Sequence, residues 1–316
     1  MRYPGRTMGG CFRKISVVLL AATACFAFCG GQAEADAKDA SASIIHGSPT
    51  TISKWPWQVA IANNPYRWVG SPRQRTFCGG VVLAPRLVLT ARHCLLRGDR
   101  PWSKNLVVYS GRTWLNDSWT GRMSRVRGVV RPSNRDWDVA LVRLWQPVLG
   151  RPIRLASSSE YNTWRPGQVA YSTGWGVTRG GGDGPMSRRL RVSKQVILPN
   201  GVCRRSGDIG RFFRPRLMVC HGSPTAEAGT CHGDSGGPLV VPVRTEYGRR
   251  YRLAGLTSFG NEYCWKDIPS VASRVSGDRL RRWIIWNASS FTPVDIVGAS
   301  ATPKSHPDWC QVPYLD

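Results

Sequence analysis

The sequence predicts an all-β fold, a sandwich or a barrel, and three observations carry that reading. Short apolar or alternating runs recur from about residue 52, each broken by Gly, Pro, Ser or Asn. The runs are rich in Val, Leu, Ile, Tyr and Trp, most of which suit a pleated, half-buried surface. Only one stretch, 276–287, carries a clear helical period. Many short strands with turn signals between them are the pattern of a closed or two-layered β protein.

Each element has its own reason. Trp57–Ile61 alternates between faces, while Val81–Leu83, Leu87–Leu89 and Leu106–Tyr109 are brief apolar runs. Val139–Leu144, Val169–Ser172, Leu190–Leu198, Leu217–Val219, Leu239–Val243 and Tyr251–Phe259 continue the series. The glycine-rich Gly180–Pro185 reads as a mobile surface loop. Ser276 is the expected cap of the helix, with Asp278 in its first turn. Leu280, Trp283, Ile284 and Asn287 keep the i, i+3, i+4, i+7 rhythm, which leaves Arg281 and Arg282 outside. Residues 289–316 have no period and read as a tail.

The first 35 residues are not read as fold. Arg2, Arg6, Arg13 and Lys14 form a basic leader, Ile15–Phe28 is apolar, and Ala33-Glu34-Ala35 supplies a small-residue cleavage pattern. That layout is a secretory signal peptide over 1–35. A lipoprotein signal with Cys25 as its acceptor is the rival, but Phe26-Ala27-Phe28 would then open the mature chain. The expected location is therefore secreted, outside the cell.

Composition narrows the function classes. The 316 residues carry 44 Lys plus Arg against 19 Asp plus Glu, a formal charge of +25, and are 41% hydrophobic. A disordered chain is poorer in apolar residues. After the leader, no apolar run reaches the ~20 residues of a membrane helix, so a polytopic membrane protein is excluded. The basic residues are mostly arginine and scattered, which reads either as a solvated cationic surface or as attraction to polyanions such as cell-wall polymers, acidic polysaccharide or nucleic acid. Nothing in their spacing points to a specific nucleic acid.

Ten cysteines are present, with Cys11, Cys25 and Cys29 in the leader. The other seven suggest three disulfides and one remaining thiol in an oxidising compartment. None stands in a C-x-x-C spacing, so a structural zinc site has little support.

The chemistry-bearing run is Gly229-Thr230-Cys231-His232-Gly233-Asp234-Ser235-Gly236-Gly237-Pro238-Leu239. A serine flanked by glycines lets backbone N–H groups approach a substrate carbonyl without a Cβ in the way. A hydroxyl still needs a base to take its proton. Thr90-Ala91-Arg92-His93-Cys94 follows an apolar run, and Asp138-Val139-Ala140-Leu141 opens another. Singly, His93 reads as structural and Asp138 as a turn residue; together with Ser235 they form one constellation.

At these residues the chain resembles the chymotrypsin/trypsin-like serine proteases, peptidase family S1, from Ile44 to about Asn287. The resemblance rests on Ile44-Ile45-His46-Gly47, Trp55-Pro56-Trp57-Gln58-Val59, Phe77-Cys78-Gly79-Gly80 and the two motifs above. Thr173-Gly174-Trp175-Gly176, Gly233–Pro238 and Ser258-Phe259-Gly260 complete it. Eight motifs in the family's order are far more specific than any one of them.

The resemblance implies two six-stranded antiparallel β-barrels with a C-terminal helix, and a secreted serine endopeptidase acting on proteins or peptides, expected as a monomer. It implies Ser235 as nucleophile, His93 as general base and acid, and Asp138 as the orienting carboxylate. The amides of Gly233 and Ser235 would form the oxyanion hole, and Ser258–Gly260 would pair with the substrate backbone. It pairs Cys78 with Cys94, Cys203 with Cys220 and Cys231 with Cys264, leaving Cys310 in the tail. Activation would free an α-amine at Ile44 to pair with Asp234, after loss of a short propeptide, 36–43, giving a domain over 44–288. Segment 106–119 lacks the family's paired calcium glutamates, so no metal or cofactor is expected.

Two departures alter the expectation. Arg92 stands where the family usually has alanine; a cation turned inward there lowers the pKa of His93 a little, whereas a solvent-facing side chain does little. In the primary pocket Gly229 stands where trypsin-like members carry aspartate, with Thr230, Gly260 and Ser270 as the other positions. An unpaired buried guanidinium is costly, so uncharged P1 residues are expected, with a rim role for Glu262 as the second reading. The rival function class is a catalytically silent protein on this fold that binds polyanions; such relatives typically lack a triad residue, and this chain keeps all three.

Overall fold

Two closed antiparallel barrels organise the computed structural model, as the resemblance implies. The structure describes residues 47–291 except 98–99, 102–104, 180, 183, 226–228 and 266. The leader, the expected propeptide, Ile44 and Cys310 lie outside the described residues.

The strands are β1 (Ser48–Pro49), β2 (Gln58–Asn63), β3 (Thr76–Ala84), β4 (Leu87–Thr90), β5 (Leu96–Arg97), β6 (Arg100–Pro101), β7 (Leu106–Ser110) and β8 (Arg122–Val130). They continue as β9 (Ala140–Leu144), β10 (Val169–Gly174), β11 (Arg191–Ile197), β12 (Met218–Gly222), β13 (Pro238–Thr245), β14 (Gly248–Phe259) and β15 (Ser270–Arg274). The first barrel closes in the order β2-β3-β4-β9-β8-β7. The second runs β11-β10-β13-β14-β15-β12 and closes through the β11–β12 pairing, with β1 added to β11. Closure leaves few strand edges free to pair with other chains. β5 and β6 form a separate two-stranded ribbon.

Burial explains why these runs form strands. Val59, Ile61, Val81, Leu89, Val108 and Leu141 are fully buried in the first barrel, in one cluster with Val240, Leu253, Leu256 and Val271 of the second. Each such side chain contributes about 1.5–3 kcal/mol on leaving water. Thr173 Oγ1 donates to Gln58 Oε1 at 2.6 Å, tying β10 to β2 across the two barrels. Disulfides join Cys78 to Cys94, Cys203 to Cys220 and Cys231 to Cys264 across separations of 16, 17 and 33 residues. Closing loops of that size restricts the unfolded chain by about 3–4 kcal/mol each in the chain-entropy account.

Two sequence expectations need correction. The helix Asp278–Ser289 takes Gly277, not Ser276, as its N-cap; Ser276 is buried, and its hydroxyl has no partner among the described residues. Arg281 is not simply outward, because its Nε donates to the Ala156 carbonyl at 3.0 Å. In the glycine-rich segment, Gly181 N–H donates to the Tyr263 carbonyl at 2.8 Å. A Cβ on Gly182, whose φ is +78°, would fall 2.6 Å from the Glu262 carbonyl oxygen.

Candidate active site

β4 delivers His93 on a short 3-10 turn, His93–Leu95, and the Cys78–Cys94 bridge fixes that turn to β3. Asp138 sits two residues before β9, the ladder partner of β4. Adjacent strands thus carry the two side chains toward one another. The Asp138 carboxylate takes His93 at two points: Oδ1 accepts the His93 backbone N–H at 3.0 Å and Oδ2 accepts Nδ1–H at 2.9 Å. With Nδ1 holding the proton, Nε2 is left as an acceptor. Nε2 lies 3.8 Å from Cys94 Sγ, and 45% of the side chain is exposed.

The second barrel reaches the same carboxylate. Ser258 Oγ donates to Asp138 Oδ2 at 2.6 Å, and Ser273 Oγ donates to the Asp138 carbonyl at 2.8 Å. Ser258 lies where the β14–β15 register slips between Thr257 and Phe259, and a bulge re-aims a side chain in this way. The resemblance implies only a backbone role for Ser258. Its side-chain contact joins residues 120 positions apart and has no local signal.

Electrostatics at the pair follow from these contacts. Burial works against a charged His93, but the hydrogen bond and charge of Asp138 outweigh it and raise its pKa. Burial also works against a charged Asp138, yet the bonds and charge of His93 and the Ser258 hydroxyl hold its pKa below the ordinary carboxylate value. The expected lowering of His93 by Arg92 is not what governs this ring. Arg92 is absent from its perturbers, and its Nε is buried without a partner among the described residues.

Ser235 is positioned through its backbone. Gly79 N–H of β3 donates to the Ser235 carbonyl at 2.8 Å, and a Cβ on Gly79 would lie 2.9 Å from Gly237 Cα. Among the described residues, no hydrogen bond joins Ser235 Oγ to His93; the structure brings His93 and Asp138 into contact and leaves the serine hydroxyl unbonded. Gly236, at φ +76°, would drive a Cβ to 2.2 Å from Thr90 Oγ1. In the same segment the amides of Asp234, Gly236 and Gly237 donate to Cys231, Thr257 and Asp234 carbonyls. Among the described residues, the amides of Gly233 and Ser235 have no such acceptor.

Asp234 is buried beneath this turn. Its Oδ1 accepts Gly176 N–H at 2.9 Å and its Oδ2 accepts Cys231 N–H at 3.1 Å. Burial raises its pKa to about 6 despite those two amides. The Thr173-Gly174-Trp175-Gly176 motif gains a reason here: a Cβ on Gly174 or Gly176 would lie 2.2 or 2.4 Å from an Asp234 carboxylate oxygen.

The pocket positions also gather. Thr230 Oγ1 donates to Ser270 Oγ at 3.2 Å, and a Cβ on Gly260 would meet Ser270 Oγ at 3.3 Å. Among the described residues, nothing lies within 4 Å of a Cβ at Gly229. Phe259 pairs with Val271 at the end of β14. Glu262 is exposed, and its carbonyl oxygen lies 3.0 Å from His232 Nε2. The group Cys78, His93 and Cys94 brings ligand-type atoms together, but both sulfurs are held in one disulfide and offer no thiolate.

Paired closed barrels with a glycine-flanked serine turn between them define the architecture of the chymotrypsin-type serine proteases. The family model for trypsin matches residues 44–284, and the chain belongs to that family. "Trypsin" of Saccharopolyspora erythraea is 32% identical over 238 residues, covering 73% of this chain and 93% of that protein. "Transmembrane protease serine 9" of Rattus norvegicus is 33% identical over 246 residues, covering 74% of this chain but only 21% of that protein. Among the described residues, no helix is long and apolar enough to cross a membrane.

Proposed function

We propose that the chain is an exported serine endopeptidase that works through Ser235, His93 and Asp138. The observation that carries the reading is the two-point hold of Asp138 on His93, which leaves Nε2 as the free basic nitrogen. Ser235 Oγ attacks the scissile carbonyl and its proton passes to Nε2. His93 then gives that proton to the leaving amine, and water repeats the sequence on the acyl-enzyme. The unbonded amides of Gly233 and Ser235 are the donors for the oxyanion, an interaction worth about 3–4 kcal/mol per donor in comparable sites. The missing Oγ–Nε2 hydrogen bond among the described residues is compatible with this chemistry, since such bonds tighten on substrate binding.

Export removes residues 1–35, and loss of 36–43 frees the Ile44 amine to pair with Asp234. A buried carboxylate whose pKa is about 6 supports that assignment, because a cation beside it would relieve the cost of its charge. Cleavage favours uncharged P1 residues. The bare Gly229 and the Thr230–Ser270 hydroxyl pair give a guanidinium no carboxylate at the pocket base among the described residues.

A fluorophosphonate probe and substrates differing only at P1 test both parts. The processed protein is expected to label at Ser235 and to cleave Leu or Phe substrates faster than the Arg one. Failure to label defeats the protease reading. Faster Arg cleavage defeats only the neutral pocket and makes Glu262→Gln the next variant.

A further inference from the structure

The hairpin of β13 and β14 has one end beside Ser235 and the other in a concentrated set of cations. Arg244, Arg249 and Arg250 are all exposed, and none has a carboxylate partner among the described residues. Arg244 and Arg249 stand directly opposite each other in the ladder, while Arg250 opposes Val243 on the other face. Like charges so placed, with Cβ atoms about 5 Å apart, destabilise a strand pair. An anion shared between the two guanidiniums would remove that cost and gain bidentate hydrogen bonds.

The tip is also shaped. A cleft of about 700 Å³ lies against Pro242, Arg244, Thr245 and Arg249. A second, of about 500 Å³, is lined by Trp57, Arg154, Glu246, Tyr247 and Arg250. Aromatic faces, guanidiniums and a carboxylate together suit a ligand that has rings, hydroxyls and separated negative groups. Glu246 can accept from hydroxyls but repels a continuous phosphate backbone, which favours sugar over nucleic acid. At about 3.3 Å per residue, β13 puts its Thr245 end on the order of 23 Å from Pro238.

We propose that this hairpin tip is an anchoring site for an acidic polysaccharide, held by Arg244, Arg249 and Arg250, with the serine end of the hairpin left uncovered. The site goes beyond the protease reading and does not depend on it.

The test is the salt dependence of binding to immobilised heparin by the full exported protein. Three forms are compared: the unaltered chain, Arg244→Ala/Arg249→Ala/Arg250→Ala, and a charge-matched control, Arg165→Ala/Arg205→Ala/Arg216→Ala, with circular dichroism verifying the fold of each. The hairpin variant is expected to lose about three units of slope in log affinity against log salt, and the control less than one. Heparin at saturation should leave cleavage of a small peptide unchanged. Equal losses in the two triple variants would overturn the site, since binding would then follow total charge. Tighter, hairpin-dependent binding of a single-stranded oligonucleotide of equal charge would overturn the ligand class. Loss of peptidase activity with heparin binding intact would defeat the protease reading alone.

Discussion

Asp138 and Asp234 are two largely buried carboxylates of one crevice, and they differ in what meets the charge. Asp138 faces the His93 imidazole through Nδ1, the His93 backbone N–H and a serine hydroxyl, and its pKa falls. Asp234 has two backbone amides and deeper burial, and its pKa rises to about 6. Two neutral amides therefore do not offset desolvation, whereas a ring that can take up charge beside the carboxylate does. The first carboxylate is complete within the described residues. The second meets no cation among the described residues and is, in the proposed function, the socket for the Ile44 amine.

The sharpest way to break that contrast is Asp138→Asn. An amide there presents N–H to Nδ1 and turns the ring to the wrong tautomer, so Nε2 no longer accepts from Ser235. We expect kcat/KM to fall by about 10⁴ with little change in fold. The fluorophosphonate labelling rate should fall in parallel. A loss below tenfold would remove Asp138 from the mechanism.

Asp234→Asn addresses the socket. A disordered oxyanion turn should lower kcat by about 10²–10³, the effect of losing one preorganised donor. Its linkage has a sign that depends on processing. With the folded pKa near 6, above the ordinary 3.8, the carboxyl contributes stability below about pH 4 that is lost as pH rises through 6. The precursor should lose on the order of 1 kcal/mol between pH 5 and pH 8 through this group. In the processed protein, pairing with the Ile44 amine should reverse that trend. Denaturant unfolding of both forms at both pH values measures it, and identical slopes would defeat the Ile44 assignment.

What could be read from the chain beforehand followed from local constraints. Gly174, Gly176 and Gly236 stand in motifs because a Cβ at any of them would strike Asp234 or Thr90, so a short run of sequence records a crowded site. The strand runs were legible for a similar reason, since burial selects apolar types one strand at a time. Ser258 and Ser273 were not legible as partners of Asp138, because they reach it from 120 and 135 residues away through a barrel-to-barrel contact. The capping error arose between neighbours: Ser276 has the better capping side chain, but burial claims it and leaves the cap to Gly277. The hold on Gly181 depends on a carbonyl of the loop that also carries Cys264, which no local pattern reveals.

His221 extends the comparison to a base. It is fully buried on β12, its Nδ1 lies 3.0 Å from Gln195 Oε1, and desolvation lowers its pKa to about 4. A depressed base works in the opposite pH direction to Asp234. Unfolded histidine takes up a proton near 6.5 while the folded one resists it, so stability present above 6.5 is lost as pH falls toward 4. His221→Gln should remove about 2 kcal/mol of the loss between pH 7 and pH 5. An unchanged acid slope in urea unfolding would show that the ring protonates without opening the barrel.

The smallest expected effect tests whether a neutral donor adds anything where a ring already holds the carboxylate. Ser258→Ala deletes the 2.6 Å bond to Asp138 Oδ2 but leaves both His93 contacts in place. A hydrogen bond to a charged acceptor contributes about 1.5–3 kcal/mol, and water entering the vacated space recovers part of it. We therefore expect kcat/KM to fall by about tenfold, near 1.4 kcal/mol. The pH profile separates positioning from mere packing. With less of its charge taken by a hydroxyl, Asp138 should hold a proton more readily and attract the protonated His93 more strongly. The acid limb of kcat/KM, set by His93, should then move to higher pH. Ser258→Thr, which keeps a hydroxyl, should restore the limb even if added bulk lowers the rate. A Ser258→Ala profile that drops in height without moving would mean that the bulge supports the substrate strand and leaves the charge on Asp138 to His93 alone.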